Sequence, residues 1–227
     1  MKTIVLSVGG SVMIPNTINT DFLDQLKKTL RKHYKEYKFV LVCGGGAIAR
    51  TYIQALRHEH KSEKELSLAG IRVTRMNALL LMQYFGKEVN SMLPKTMKDV
   101  ENNLKKNNVV ICGALRYAPK STSDGTAAKL AHLLKAIFIN ITNVPGLYTE
   151  DPKKNPKAKF IAHESWKAFE QRAKKMKYTS GQHFVLDQQA ATLIRKYHIP
   201  TFIIGKDMNN FERCLTNKSW KGTRIQG

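Results

Sequence analysis

Two short runs, Ile4 to Val8 and Phe39 to Cys43, are apolar at nearly every position, and each ends on consecutive glycines, Gly9-Gly10 and Gly44-Gly45-Gly46. Runs of that length and composition read as buried strands, and the glycines as tight turns at their carboxyl ends. Between them Phe22, Leu23, Leu26, Leu30 and Tyr34 recur at helical spacing. Asn19 or Thr20 is placed to cap that helix, and Asp21 and Asp24 stand near the positive end of its dipole. Strand, helix and strand in this order make a β-α-β unit.

The alternation continues along the chain. Helices are predicted at about 47–58, at about 69–84 with Gly86 as the stop, and after Pro94 at about 95–106. Val109 to Cys112 forms the next strand, a helix follows from about Ser123, and a strand covers 137–141. After a polar, Pro-containing loop at 144–156 come a helix bearing Trp166 and Phe169, a helix at 187–197 and a strand at 201–204. Apolar strands alternating with amphipathic helices imply an α/β fold, an open αβα sandwich with a mainly parallel sheet and ligands at the carboxyl ends of its strands. The 227 residues fall within the reach of a single α/β domain, expected to span 1–227. The loops at 113–123 and 143–157 are the long ones, and loops of that length in compact domains often carry function.

No apolar run approaches the roughly 18 residues of a membrane-spanning helix. The opening "MKTIVLSVGGSVM" is interrupted by glycine too early for a signal-peptide core, so a cytoplasmic protein with no membrane partner is expected. Cys43, Cys112 and Cys214 are odd in number and widely spaced, which suits reduced, buried thiols better than a disulfide framework or a zinc site. Lys and Arg number 38 against 17 Asp and Glu, a net charge of +21. Two readings of that excess stand: a solvated, Lys-rich surface, which is favoured, or attraction to an anionic substrate or a nucleic acid.

Gly44-Gly45-Gly46 before a helix offers bare backbone amides that suit a phosphate, with Arg50 placed to reach back to the same anion. A second glycine turn at Gly9-Gly10-Ser11, on a neighbouring strand, lets the two cradle one polyphosphate between them. Neither turn carries G-x-x-x-x-G-K-S/T or a strand-linked G-x-G-x-x-G, which disfavours P-loop NTPases and Rossmann dehydrogenases. There is no Ser-His-Asp arrangement, and the seven histidines lack metal-ligand spacing.

The stretches "IVLSVGGSV", "VCGGGAIARTY", "GIRVTRMNALLL", "PKSTSDGTAAKLA", "ITNVPGLYTEDPKKNPKAKFI", "SGQHFVLDQQAATLI" and "GTRI" cover nearly the whole chain. In order and spacing they resemble the amino acid kinase superfamily, and within it the archaeal-type UMP kinases. The resemblance implies transfer of the γ-phosphoryl of ATP to UMP with Mg²⁺, an acceptor-side lobe at about 1–135, an ATP-side lobe at about 136–227, and a homohexamer. It places Gly9, Gly10, Ser11, Gly46 and Arg50 at the ATP phosphates, and Thr142, Asn143, Tyr148 and Asp151 at adenine and ribose. UMP would meet Gly45, Ser67, Arg72, Pro119, Lys120, Ser121, Thr122 and Ser123. Arg50, Lys120 and Asp187 are the candidate catalytic residues, Asp187 being equally readable as a helix cap. Lys153 and Lys154 fit solvated surface lysines better than nucleotide ligands. No metal-ligating side chain is assigned. A bulky residue at Gly46 is expected to abolish transfer with the fold intact.

The chain departs from the pattern at the acceptor. Ser67 replaces an Asp that holds ribose in such kinases, and a hydroxyl cannot make that carboxylate's paired hydrogen bonds. The glycine-rich acceptor loop becomes "CGALRYAPK", Pro145 replaces an Asp, and Gln188 replaces a Pro. Arg72 is readable as an acceptor contact, as in N-acetylglutamate kinases, or as an exposed helix residue. Three functions therefore remain: a UMP kinase, a related kinase acting on another small phosphate or carboxylate, and a nucleic-acid-binding protein on a kinase fold.

Overall fold

A computed structural model describes residues 1–119, 121–152, 155–175 and 185–227. In chain order the elements are β1 (Lys2–Val8), α1 (Gly10–Met13), α2 (Thr20–Lys32), β2 (Tyr37–Cys43), α3 (Gly46–His58), α4 (Glu63–Phe85), α5 (Met97–Lys106), β3 (Val109–Cys112) and α6 (Ser123–Leu133). They continue with β4 (Ile137–Ile141), β5 (Leu147–Tyr148), β6 (Phe160–Ile161), β7 (His163–Glu164), α7 (Trp166–Lys175), α8 (Gln188–Lys196), β8 (Thr201–Ile204), α9 (Met208–Leu215) and β9 (Thr223–Ile225).

Among the described residues the main sheet has seven strands in the order β3-β2-β1-β4-β8-β9-β7. The first five run parallel; β9 is antiparallel to β8, and β7 is parallel to β9. The mainly parallel αβα sandwich expected from the sequence is therefore present. Alternate residues of the strands feed two cores on opposite faces. Ile4, Leu6, Val8, Phe39, Leu41, Val109, Ile111, Ile139 and Ile141 meet α2, α4 and α9, while Val5, Val40, Val42, Val110 and Phe138 meet α5, α6, α7 and α8. Burial on both faces is why these strands read as near-continuous apolar runs.

Local chemistry sets the helix ends. Asn19 caps α2 by accepting from the Phe22 amide. Ser62 and Glu65 form a reciprocal capping box that starts α4 at Glu63, six residues before the 69–84 range expected from its apolar spacing. Thr96 and Asp99 do the same for α5. The sequence reading missed α1, α9, β7, β9 and the small β5–β6 ladder. Cys43, Cys112 and Cys214 are free and buried, as expected, and burial pushes the thiols of Cys112 and Cys214 up to about 12.

From β1 the chain passes through β2 to β3 on one side, then returns to place β4 on the other side of β1. Loops leaving the carboxyl ends of β1 and β4 thus diverge, and the crevice that opens between them is where open parallel sheets bind ligands.

Candidate active site

A cavity of about 880 Å³ occupies that crevice. One wall is made by the glycine turns after β1 and β2, another by the α4 residues Ser67, Gly70, Ile71 and Thr74, and a third by Ser121 to Asp124 at the start of α6. The far end is formed by 140–144 and 146–152.

The two glycine turns are in backbone contact. A Cβ on Gly10 would lie 2.2 Å from the Gly46 nitrogen and 2.7 Å from the Gly45 carbonyl carbon, and one on Gly44 would lie 2.6 Å from the Gly10 nitrogen. Gly46 has φ +65°, and its Cβ would fall 2.7 Å from both the carbonyl carbon and oxygen of Gly10. Glycine is required here first by the packing of one turn on the other, and that packing creates a single continuous strip of bare backbone. The expectation that a bulky Gly46 variant keeps its fold is corrected by this geometry, since such a side chain would collide with main chain in a conformation that L residues rarely adopt.

The amides divide into two groups. Gly9 N–H donates to the Ile141 carbonyl at 3.0 Å, and Gly44 N–H to the Val8 carbonyl at 2.9 Å, so both are committed to holding strand ends together. No hydrogen bond among the described residues engages the amides of Gly10, Ser11, Gly45 or Gly46. These four are the donors available to an anion, near the positive N-terminus of α3. Arg50, one turn into α3, lines the same cavity and has no ion-pair partner among the described residues. Partial burial lowers its guanidinium pKa from the ordinary value, and the desolvated, unpaired cation is poised for an incoming anion.

At the start of α6, Thr122 caps the helix by accepting from the Asp124 amide. Asp187, 2% exposed, caps α8 by accepting from the Ala190 amide at 2.6 Å; its other oxygen accepts from the Thr122 amide, the Thr122 hydroxyl and the Gly125 amide. Asp187 lies behind the cavity wall and positions α6 from there. Ser7 Oγ donates to Asp124 Oδ1 at 2.6 Å, tying β1 to α6 across the cavity floor. Burial, reinforced by the nearby Asp187 charge, pushes the Asp124 carboxyl up to about 7.

All nine residues expected at ATP line this cavity: Gly9, Gly10, Ser11, Gly46, Arg50, Thr142, Asn143, Tyr148 and Asp151. So do Gly45, Ser67, Ser121, Thr122 and Ser123 of the acceptor set. Arg72 and Pro119 are exposed and do not contribute to its lining. Lys120, Lys153 and Lys154 lie outside the described residues. The sequence reading missed Ser7, Asp124 and Asn140 as cavity residues. Asp124 could have been found as the acid in the first turn of a helix that begins at a long polar loop. Arg172 and Lys175 of α7 also face the cavity, with Arg172 bound through its guanidinium to Glu164. Among the described residues no group of three or more His, Cys, Asp or Glu side chains is arranged to hold a metal.

A family model described as the amino acid kinase family matches residues 2–205. Uridylate kinase of Thermococcus sibiricus is 34% identical over 205 residues, covering 90% of each chain. Uridylate kinase of Pyrococcus abyssi is 33% identical over 204 residues, covering 89% of this chain and 90% of that one. Among solved structures, uridylate kinase from Archaeoglobus fulgidus superposes with a TM-score of 0.83 at 32% identity, over 99% of this chain and 100% of that chain. UMP kinase from Ureaplasma parvum superposes with a TM-score of 0.79 at 21% identity, over 100% and 99%, a likeness of fold alone.

Proposed function

The chain belongs to the amino acid kinase family, and on that premise we propose that it is a UMP kinase, transferring the γ-phosphoryl of ATP to UMP to give ADP and UDP. One observation carries the reading: two glycine turns pressed together beneath one cavity, presenting four amides beside Arg50, none of them with a partner among the described residues.

The attacking group in this reaction is a phosphate oxygen of UMP, already anionic at neutral pH, so no side chain has to remove a proton from it. One bond forms from that oxygen to the γ-phosphorus as the bond to the β-phosphate bridging oxygen breaks, and the electron pair leaves with ADP. What such a transfer asks of a protein is in-line placement and charge neutralisation. The amides of Gly10, Ser11 and Gly46 with Arg50 meet the donor phosphates, and Gly45 meets the acceptor. Tyr148, half-buried with its ring edge-on to Phe160, offers a face for adenine, and Asp151 offers a carboxylate for ribose hydroxyls.

Mg²⁺ fits this site as a companion of the substrate phosphates. Asp124, Glu150 and Asp151 are the carboxylates on the cavity wall, and Mg²⁺ is commonly bound by one or two carboxylates together with phosphates. When bound it would neutralise charge on the transferring group.

The acceptor and the ATP phosphates would sit against residues of about 1–135, and the adenine and ribose of ATP against those of about 136–227. Self-association, with a homohexamer as the proposed assembly, draws support from Ile48 and Tyr52 of α3 and Met76 and Leu79 of α4, large apolar side chains left exposed. Among the described residues no helix is long and apolar enough to cross a membrane; a role in pyrimidine nucleotide synthesis, with the cytoplasm as its place, follows from UDP as the proposed product. Incubation with ATP, Mg²⁺ and UMP should form UDP and ADP in equal amounts; ADP without UDP would contradict the reading.

A further inference from the structure

We propose that Thr74, Arg75 and Asn77 of α4 form a positioning bracket that fixes the triple-glycine turn and the 113–115 turn at a set separation, and so governs how the acceptor phosphate is presented to the donor. The proposal rests on the phosphotransfer reading above.

Asn77, 3% exposed, donates from Nδ2 to the Gly44 carbonyl at 2.8 Å and more weakly to the Gly45 carbonyl at 3.5 Å. In a trans peptide the carbonyl and the following N–H point in opposite directions, so drawing these two oxygens toward α4 turns the Gly45 and Gly46 amides away from it. Those amides are among the uncommitted donors of the cavity. Two residues earlier, Arg75 grips the other turn. Its Nε donates to the Ala114 carbonyl at 3.1 Å and its Nη2 to the Leu115 carbonyl at 2.5 Å. Thr74 Oγ1 accepts from the Ala114 amide at 2.9 Å while donating to the Ile71 carbonyl at 2.7 Å.

The second turn also rests on the helix backbone itself. A Cβ on Gly113 would lie 2.7 Å from the Arg75 nitrogen and from the Thr74 carbonyl carbon. One rigid helical turn therefore holds both loops by their main chains, and the guanidinium fork is what spans two successive carbonyls. A lysine has no such planar fork. The residues reach the substrates only through the loops they hold.

The test is steady-state kinetics of the intact chain with ATP, Mg²⁺ and UMP, together with calorimetric UMP binding and thermal melting, for wild type, Arg75→Lys and Asn77→Asp. Arg75→Lys keeps the charge and most of the stem, and is expected to raise KM and Kd for UMP about tenfold, the effect of losing roughly one oriented hydrogen bond, with KM for ATP changed less than twofold. Asn77→Asp sets a carboxylate against two carbonyl oxygens; displacing the turn, which carries the donor-side Gly46 amide as well as the acceptor-side Gly45 amide, is expected to lower kcat about 100-fold. Unchanged UMP parameters in Arg75→Lys overturn the bracket while leaving the kinase reading intact, and so does an equal rise in KM for UMP and ATP, the mark of general loosening. Wild-type protein that neither binds nor turns over UMP overturns both. Should Asn77→Asp fail to fold, Arg75→Lys alone decides.

Discussion

Asp187 holds Thr122 twice, accepting from its amide at 2.6 Å and from its hydroxyl at 2.7 Å, although the two residues lie 65 apart in sequence. Through this pair the start of α8 fixes the start of α6, and the start of α6 carries Asp124 into the cavity against Ser7. A single buried carboxylate thus links a helix cap to the geometry of the site. Asp187→Asn would turn an NH₂ toward donors at Thr122 and Gly125 or abandon the Ala190 cap. It should lower stability by about 2–3 kcal/mol in urea unfolding, the scale of lost hydrogen bonds to a charged group, and reduce turnover with it.

Asp124 supplies a pH signature. Its carboxyl is raised to about 7 in the fold, against about 4 in an unfolded chain. Between these values the native state holds a proton that the unfolded state has released, so this contribution to stability is whole below about pH 4 and is lost as pH rises through about 7. Asp124→Asn cannot ionise, and should therefore gain stability relative to wild type as the pH is raised from about 5 to about 8. Urea titrations of both proteins at the two pH values check this; a difference independent of pH would contradict it.

Arg50 separates chemistry from folding. It faces the cavity without an ion-pair partner among the described residues, so Arg50→Met should leave the melting temperature close to wild type while lowering kcat about 100-fold or more, as the loss of one preorganised charge-stabilising group does elsewhere. Turnover retained with melting unchanged would remove Arg50 from the site.

The glycine turns give the converse case. Gly10→Ala places a methyl 2.2 Å from the Gly46 nitrogen, and the two turns must separate to admit it. Destabilisation of about 1–3 kcal/mol or more is expected, together with loss of transfer, because overpacking strains the main chain itself. A variant as stable as wild type would show that the turns do not bear on each other as described.

The parts of the molecule most legible in the sequence are those built by local rules. The strand at 109–112, the strand at 137–141 and the strand at 201–204 fall where apolar residues run together, broken only by the buried Asn140 and Thr201, because burial on both faces leaves no alternation to obscure them. Asn19 and Ser123 mark helix starts for the same local reason. What escaped was short or set by distant partners. The three residues of β9 take their strand identity from pairing with β8, and nothing in Thr223 to Ile225 announces that edge. Helix α9 escaped for neither reason: Met208, Phe211, Cys214 and Leu215 keep helical spacing behind the Asp207 cap, a local signal that was overlooked.

At the site, the glycines and Arg50 could be read because two glycine turns at the ends of neighbouring strands, one of them opening a helix that carries an Arg one turn in, together suit a phosphate. Their division into committed and uncommitted amides could not, since it depends on Gly9 meeting the Ile141 carbonyl across the sheet. The same holds for Ser7 and Asp124, 117 residues apart. Arg75 looked like any other helix residue until α4 was laid against the 113–115 turn.

The most direct measurement is ADP release with ATP and Mg²⁺ against UMP, CMP, AMP, N-acetylglutamate and isopentenyl phosphate, each offered at the same concentration. The account expects selective turnover of UMP, with Ser67 serving where relatives place a carboxylate. Preferential turnover of another acceptor, or ADP release independent of any acceptor, would contradict it.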